Sequence, residues 1–238
     1  MHTVLAVTKR ELRAYFNSPI AYILLAAFGV VSGWLFFLGF FFAERASVRE
    51  LFAYWPLLFV ILVPAISMRL WAEERKAGTD ELLLTMPLTH TGIVAGKFVA
   101  ALALLLAALL MTLPVPIIVS RLGNLDWGPV IGGYLGSLLL GGAYLSLGIV
   151  ISSFTENQVV ALILSAIACF LLLIIGEDIV LQAVPQGLAR VLKEMSLAAR
   201  FDNIERGVID SRDLVYYASF IGFFLSVNVV TLKVRTWK

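Results

Sequence analysis

The run Gly92-Ile93-Val94-Ala95-Gly96-Lys97-Phe98 comes close to the glycine-rich loop that cradles nucleotide phosphates. It fails that chemistry twice. The glycines are one residue too close together, and Phe98 stands where a hydroxyl should hold magnesium. Lys97 is expected instead to extend its ammonium to the lipid headgroups. Other chemistry is equally thin. His2 and His90 are far apart with no Cys or carboxylate at ligand spacing, so no metal site is expected. The single cysteine, Cys169, lies in an apolar run and reads as packing. No serine–histidine pair or paired acids suited to hydrolysis stand out, so the chain reads as non-catalytic, with no cofactor of its own.

The charged residues that do cluster lie in Met68-Arg69-Leu70-Trp71-Ala72-Glu73-Glu74-Arg75-Lys76-Ala77-Gly78-Thr79-Asp80-Glu81-Leu82-Leu83-Leu84-Thr85-Met86-Pro87. This order is a charged helix end, a glycine break, a threonine able to cap a new helix, acids in its first turn, three leucines and a stopping proline. It predicts a short helix with a compact apolar face. A second small polar turn, Thr155-Glu156-Asn157, precedes Gln158, and Thr155 with Gln158 fits a capping box.

The elements that must position these residues follow from composition. Of 238 residues, 61% are hydrophobic and 14% charged, against about 25% charged in a soluble domain. With a mean hydropathy of +0.95, an aqueous globule would expose large apolar patches. An all-α integral membrane protein of one domain, 1–238, is therefore expected. Six spans are predicted at Ile20–Ala43, Leu51–Leu70, Ile93–Ser120, Val130–Ser153, Gln158–Gly176 and Leu214–Leu232. Residues 1–18, with Val4, Thr8, Leu12, Tyr15 and Phe16 on one stripe, read as an interfacial helix. The loop 71–92 lies between spans two and three. The segment 177–212, with Val184, Leu188, Val191, Leu192 and Met195 at helical spacing, predicts one or two amphipathic helices on the outer face, either a lid over span ends or a gate or docking surface.

Lysine and arginine set the orientation. With both termini cytoplasmic, Lys9, Arg10, Arg13, Arg69, Arg75, Lys76, Lys97, Lys233, Arg235 and Lys238 lie inside, while the short outer loops hold only Arg45, Arg49 and Arg121. A net charge of +2 with scattered cations gives no nucleic-acid surface. No ionisable residue falls in the middle of a predicted span, so a proton- or ion-coupled carrier would work with Asn228, hydroxyls and backbone alone. Energy is expected from outside the chain. Gly29 with Gly33, Gly132 with Gly136, Ser137 with Gly141, and Gly142 with Ser146 are small-residue pairs expected at helix contacts, within the chain or across a dimer. Pro64, Pro114 and Pro116 should kink or end their helices.

The order of the 68–87 loop resembles the coupling segment of ABC-2 type permeases. Arg10-Glu11-Leu12 with Tyr15-Phe16-Asn17-Ser18-Pro19, Ser153-Phe154-Thr155-Glu156-Asn157-Gln158, and Phe201-Asp202-Asn203-Ile204-Glu205-Arg206-Gly207-Val208-Ile209-Asp210 extend the likeness along nearly the whole chain, toward the gliding-motility-associated branch. The resemblance implies a bacterial inner-membrane permease subunit of an exporter. It would dimerise with a second copy or a homologous permease and bind separate ABC ATPase subunits, which hold ATP and magnesium. It further implies an ATPase contact at Glu73, Glu74 and Arg75, a coupling helix over Gly78, Thr79, Asp80, Glu81, Leu82, Leu83, Leu84 and Pro87, and a smaller contact at Thr155, Glu156 and Asn157. An outer-face accessory membrane protein is a further possible partner. The other readings of the chain are a solvated connector for the loop, a membrane scaffold for an envelope or motility machine, and a self-contained channel or secondary carrier.

Overall fold

The computed structural model describes residues 2–43, 47–80, 88–207 and 210–236, and every regular element among them is a helix. In chain order these are α1 His2–Phe16, α2 Pro19–Ala43, α3 Arg49–Ala53, α4 Trp55–Ser67, α5 Arg69–Lys76, α6 His90–Met111, α7 Pro114–Leu122, α8 Trp127–Phe154, α9 Gln158–Ile174, α10 Asp178–Ala183, α11 Gln186–Met195, α12 Leu197–Glu205 and α13 Ser211–Thr236. The protein is an all-α membrane protein. Five stretches are long and apolar enough to cross a bilayer: Pro19–Phe40, Trp55–Lys76, His90–Leu122, Trp127–Phe154 and Ser211–Val234. The sixth expected span appears as the shorter apolar helix Gln158–Ile174, at the lower end of the length that reaches across hydrocarbon.

Proline and threonine explain the interruptions. Pro64 sits inside α4 and cannot donate to the preceding turn. Met68 nevertheless keeps helical dihedrals, so α4 continues into α5 without a loop. At the α6–α7 break, Pro114 begins a new helix, and Thr112 Oγ1 donates to the Leu109 carbonyl at 2.7 Å while pairing with Tyr134 OH at 2.9 Å. The Leu110 carbonyl that Pro114 cannot reach accepts instead from the Leu113 amide at 3.2 Å.

Around α8 the bundle is assembled: this helix touches α3, α4, α5, α6, α9, α12 and α13. Its small residues permit the approach. A Cβ at Gly132 would lie 2.5 Å from the Ile204 carbonyl oxygen, one at Gly136 3.0 Å from Ile204 Cγ2, and one at Gly141 would strike Leu105. Ser137 is fully buried and returns its hydroxyl to the Gly133 carbonyl at 2.6 Å. By contrast, a Cβ at Gly29 or Gly33 would meet nothing within 4 Å, so that pair makes no close contact among the described residues of this chain. Asn228 is fully buried and donates to the Ile149 carbonyl at 3.4 Å, tying α13 to α8.

Two elements differ from expectation. Helix α1 packs a stripe of Val4, Val7, Thr8, Glu11, Leu12 and Tyr15 onto protein and leaves Phe16 exposed. Tyr15 OH donates to the Ile66 carbonyl at 2.7 Å, and Thr8 Oγ1 donates to the Gly96 carbonyl at 3.1 Å. The segment 177–212 holds three helices rather than one or two. Helix α11 buries none of its residues and exposes Leu188, Val191 and Met195, as an amphipathic surface helix should. Helix α12 instead seats Leu197, Phe201 and Ile204 in the core.

Candidate functional site

One end of the bundle gathers the N-terminal helix, the end of α5, the start of α6 and the α8–α9 turn. Helix α5 is pinned there by Ser152 near the end of α8. Its hydroxyl accepts from the amides of Trp71 and Ala72, each at 3.2 Å, and donates to the Met68 carbonyl at 2.9 Å. One side chain therefore fastens the start of α5 to the end of α8.

Arg75 then joins the two polar segments singled out in the sequence. Its guanidinium donates to the Ser153 carbonyl at 3.1 Å and to Glu156 Oε1 at 3.0 Å. Glu73 pairs with Arg69 one turn back at 2.9 Å and remains half exposed. Thr155 Oγ1 accepts from the Asn157 amide at 3.1 Å, and Asn157 Oδ1 accepts from the Val159 amide at 2.9 Å. The cap of α9 is therefore Asn157, and the expected Thr155–Gln158 box does not form. A side-chain carbonyl one residue before the helix reaches its second amide more directly than the Thr155 hydroxyl does. Between the two segments lies a cleft of about 370 Å³ lined by Lys76, Glu156, Asn157, Gln158 and Val159.

Helix α5 ends where Gly78 takes φ +65°, a conformation costly to residues with a Cβ. The Thr79 hydroxyl donates to the Glu74 carbonyl at 3.3 Å. Asp80 is partly buried. Glu81, Leu82, Leu83, Leu84 and Pro87 lie outside the described residues.

Behind this surface is a buried ionic cluster. Lys97 is fully enclosed, and its Nζ lies 3.0 Å from Glu11 Oε1, 2.8 Å from Glu74 Oε2 and 2.6 Å from the Leu70 carbonyl. The ammonium also sits 4.6 Å from the Trp71 ring centroid, a cation–π distance. Arg10 closes the cluster by pairing with both Glu11 and Glu74. The snorkelling expected of Lys97 is thus overturned. Two carboxylates, a carbonyl and an aromatic face meet it inside the protein, so it need not reach for headgroups. Burial opposes ionisation of Glu11, but Lys97 and Arg10 outweigh it and hold that carboxyl below the usual carboxylate range. Sequence reasoning missed Lys97, Glu11 and Ser152 as parts of this site. The available signal was a lysine two turns into an apolar helix while Glu11 and Glu74 each stood at another helix end.

Residues 39–206 match the family described as ABC-2 family transporter protein. The chain belongs to that family. No curated protein matches it significantly. As an ABC-2 family member it is a multi-pass membrane permease of an ABC transporter, and membership implies work with ABC ATPase subunits. In this ABC-2 chain the matched region takes in α5, the α8–α9 turn and Lys97, whereas α1, the source of Glu11 and Arg10, lies before it.

Proposed function

We propose that the chain is one half of a bacterial inner-membrane exporter, with six spans, both termini cytoplasmic, and no catalytic role of its own. The observation that carries this reading is Arg75, which joins the α5 end to the α8–α9 turn across a sequence separation of 81. Two segments with the order of a coupling loop and its smaller companion thereby make one continuous polar face with a cleft between them. Separate ABC ATPase subunits dock there and hold ATP and magnesium. Glu73, Arg75, Gly78 to Pro87, Thr155, Glu156 and Asn157 supply the contact, while Glu74 is turned inward to hold α5 in place.

ATP favours one arrangement of the ATPase pair, and a ligand shifts an equilibrium only through such a difference between states. The coupling loop transmits that preference to α5, and α5 is locked to α1, α6 and α8 by Lys97 and Ser152. A second copy or a homologous permease completes the pathway. Gly29 and Gly33, open on α2, are positions where its helices can approach closely. The four sequence motifs support a place in the gliding-motility-associated branch, with substrate movement or force transmission as the output.

The test is co-purification of the ATPase from membranes carrying Leu83→Glu. The expected result is loss of the ATPase from a permease that still elutes as the wild type does. Undiminished complex with normal ATP turnover would refute the docking assignment.

A further inference from the structure

The face of α1 turned away from the bundle carries Leu5, Lys9, Arg13 and Phe16, whose spacing places them on one side of the helix. All four are exposed. The opposite side is fixed to the protein. Val7 and Tyr15 are buried there, Thr8 bonds to the Gly96 carbonyl on α6, and Tyr15 bonds to the Ile66 carbonyl on α4. The outer face is therefore held in a set direction.

Lys9 and Arg13 stand one turn apart with like charge, and at that spacing two cations repel each other. Among the described residues neither pairs with a carboxylate, whereas Arg10, at the edge of the same face, is committed to Glu11 and Glu74. Arg13 lies in the last turn of α1, where a cation also complements the helix dipole. Lys9 lies at mid-helix, beyond the reach of that field.

Apolar and aromatic side chains flank the pair. The Phe16 ring meets Tyr22 edge-on with centroids 6.0 Å apart. Tyr22, Ile20 and Ile23 are exposed on the first turns of α2, where the stretch Pro19–Phe40 becomes long and apolar enough to cross a bilayer. Aromatic residues at the end of a span mark the headgroup level. Arg13 precedes Phe16 by one turn, and Leu5, 67% exposed, extends the apolar edge toward the start of α1. A helix with such a face lies along a membrane surface, with its cations among the phosphates.

We propose that Lys9 and Arg13 together hold the headgroup phosphate of an anionic phospholipid, with Leu5, Phe16 and Tyr22 against its acyl chains. A bound anion removes the repulsion between the two cations. Lipid is the occupant because a soluble phosphate would leave the flanking apolar side chains in water. An anionic lipid is preferred to a zwitterionic one because Leu5, Lys9, Arg13 and Phe16 offer no carboxylate to a headgroup ammonium. This inference uses no docking-face residue and holds for either leaflet, so it does not rest on the proposed orientation.

The experiment is native mass spectrometry of the full chain in detergent, after incubation with dioleoyl phosphatidylglycerol or phosphatidylcholine at matched concentrations. Each cation near a membrane surface favours anionic lipid by about fivefold, so the two should favour phosphatidylglycerol by roughly thirtyfold. Lys9→Gln and Arg13→Gln should each reduce that preference by about fivefold, and the double variant should abolish it. Both side chains are exposed, so elution volume and helical content should stay as in the wild type. A control double variant, Arg190→Gln with Arg212→Gln, neutralises two exposed cations on other helices and should keep the preference. Wild-type preference in the variant lacking both Lys9 and Arg13, or an equal loss in the control, would overturn the proposal. So would complete displacement of the lipid by an equal concentration of soluble glycerol phosphate, which would show that the apolar edge contributes nothing.

Discussion

Lys97 shows how an ionisable side chain can sit fully enclosed in an apolar bundle. Its ammonium is fully enclosed, and each neighbour that faces it is either anionic, a carbonyl or an aromatic ring. Removing one member of such a buried set costs about 3–5 kcal/mol, because the charges left behind stay desolvated. Lys97→Met should therefore lower the thermal midpoint of the detergent-solubilised chain sharply. Combining it with Glu11→Gln and Glu74→Gln should recover much of the loss, and failure to recover would mean that packing rather than charge dominates. The pH response follows from Glu11. Its folded-state carboxyl titrates below the usual carboxylate range, so the stability it adds is complete at neutral pH and fades as pH falls below about 4. Hydrogen exchange along α1 should accelerate in that acid window ahead of exchange in α8. Uniform exchange in both helices would show that α1 does not depend on this carboxyl.

Helices were legible wherever a single physical cause set them, and less so where partners decided. The apolar runs at Pro19–Ala43, Trp127–Phe154 and Ser211–Thr236 could be placed from hydropathy, and the break at Pro114 from the missing amide hydrogen, whereas Pro64 is carried inside α4 without ending it. The small residues of α8 were legible as contacts, but not their partners, since spacing alone does not say whether Phe52, Leu105 or Ile204 fills the opposite side. Helix α12 was missed because its core residues Leu197, Phe201 and Ile204 alternate with Arg200, Asp202, Asn203 and Glu205, a pattern that reads equally well as a surface helix. At the candidate site, Arg75 and Glu156 were each singled out, yet their pairing required the fold. The buried role of Glu74 and Lys97 was hidden because the paired group lies on α1. A prediction belongs here: Gly133→Ala would place a methyl 2.5 Å from the Phe52 ring and should cost about 1–3 kcal/mol by overpacking. Gly29→Ala meets nothing and should leave monomer stability unchanged. Comparison of thermal midpoints checks both, and an equal loss in the two variants would contradict the packing described.

The molecule as a whole has two polar ends joined by apolar helices, and the ends differ in construction. One is built from α1, α5, α6 and the α8–α9 turn, with Arg75 and Lys97 as its fasteners. The other is built from α3, α12 and the start of α13, fastened by Arg49 and Arg200. Arg75→Ala removes the direct bond between the two docking segments while leaving the Lys97 cluster in place. ATPase activity of the complex should then lose its dependence on the permease, while thermal stability changes by less than in Lys97→Met. Unchanged stimulation would mean that the segments act separately.

Helix α8 runs 28 residues, about 42 Å at 1.5 Å per residue, with its only proline in the first turn. Ser152 and Ser153 near its last turn hold α5, and Gly132 and Gly136 near its first turns carry α12. No proline and no non-helical residue interrupts it between those handholds. A lengthwise nudge delivered at one membrane surface therefore has an unbroken helical path to the other.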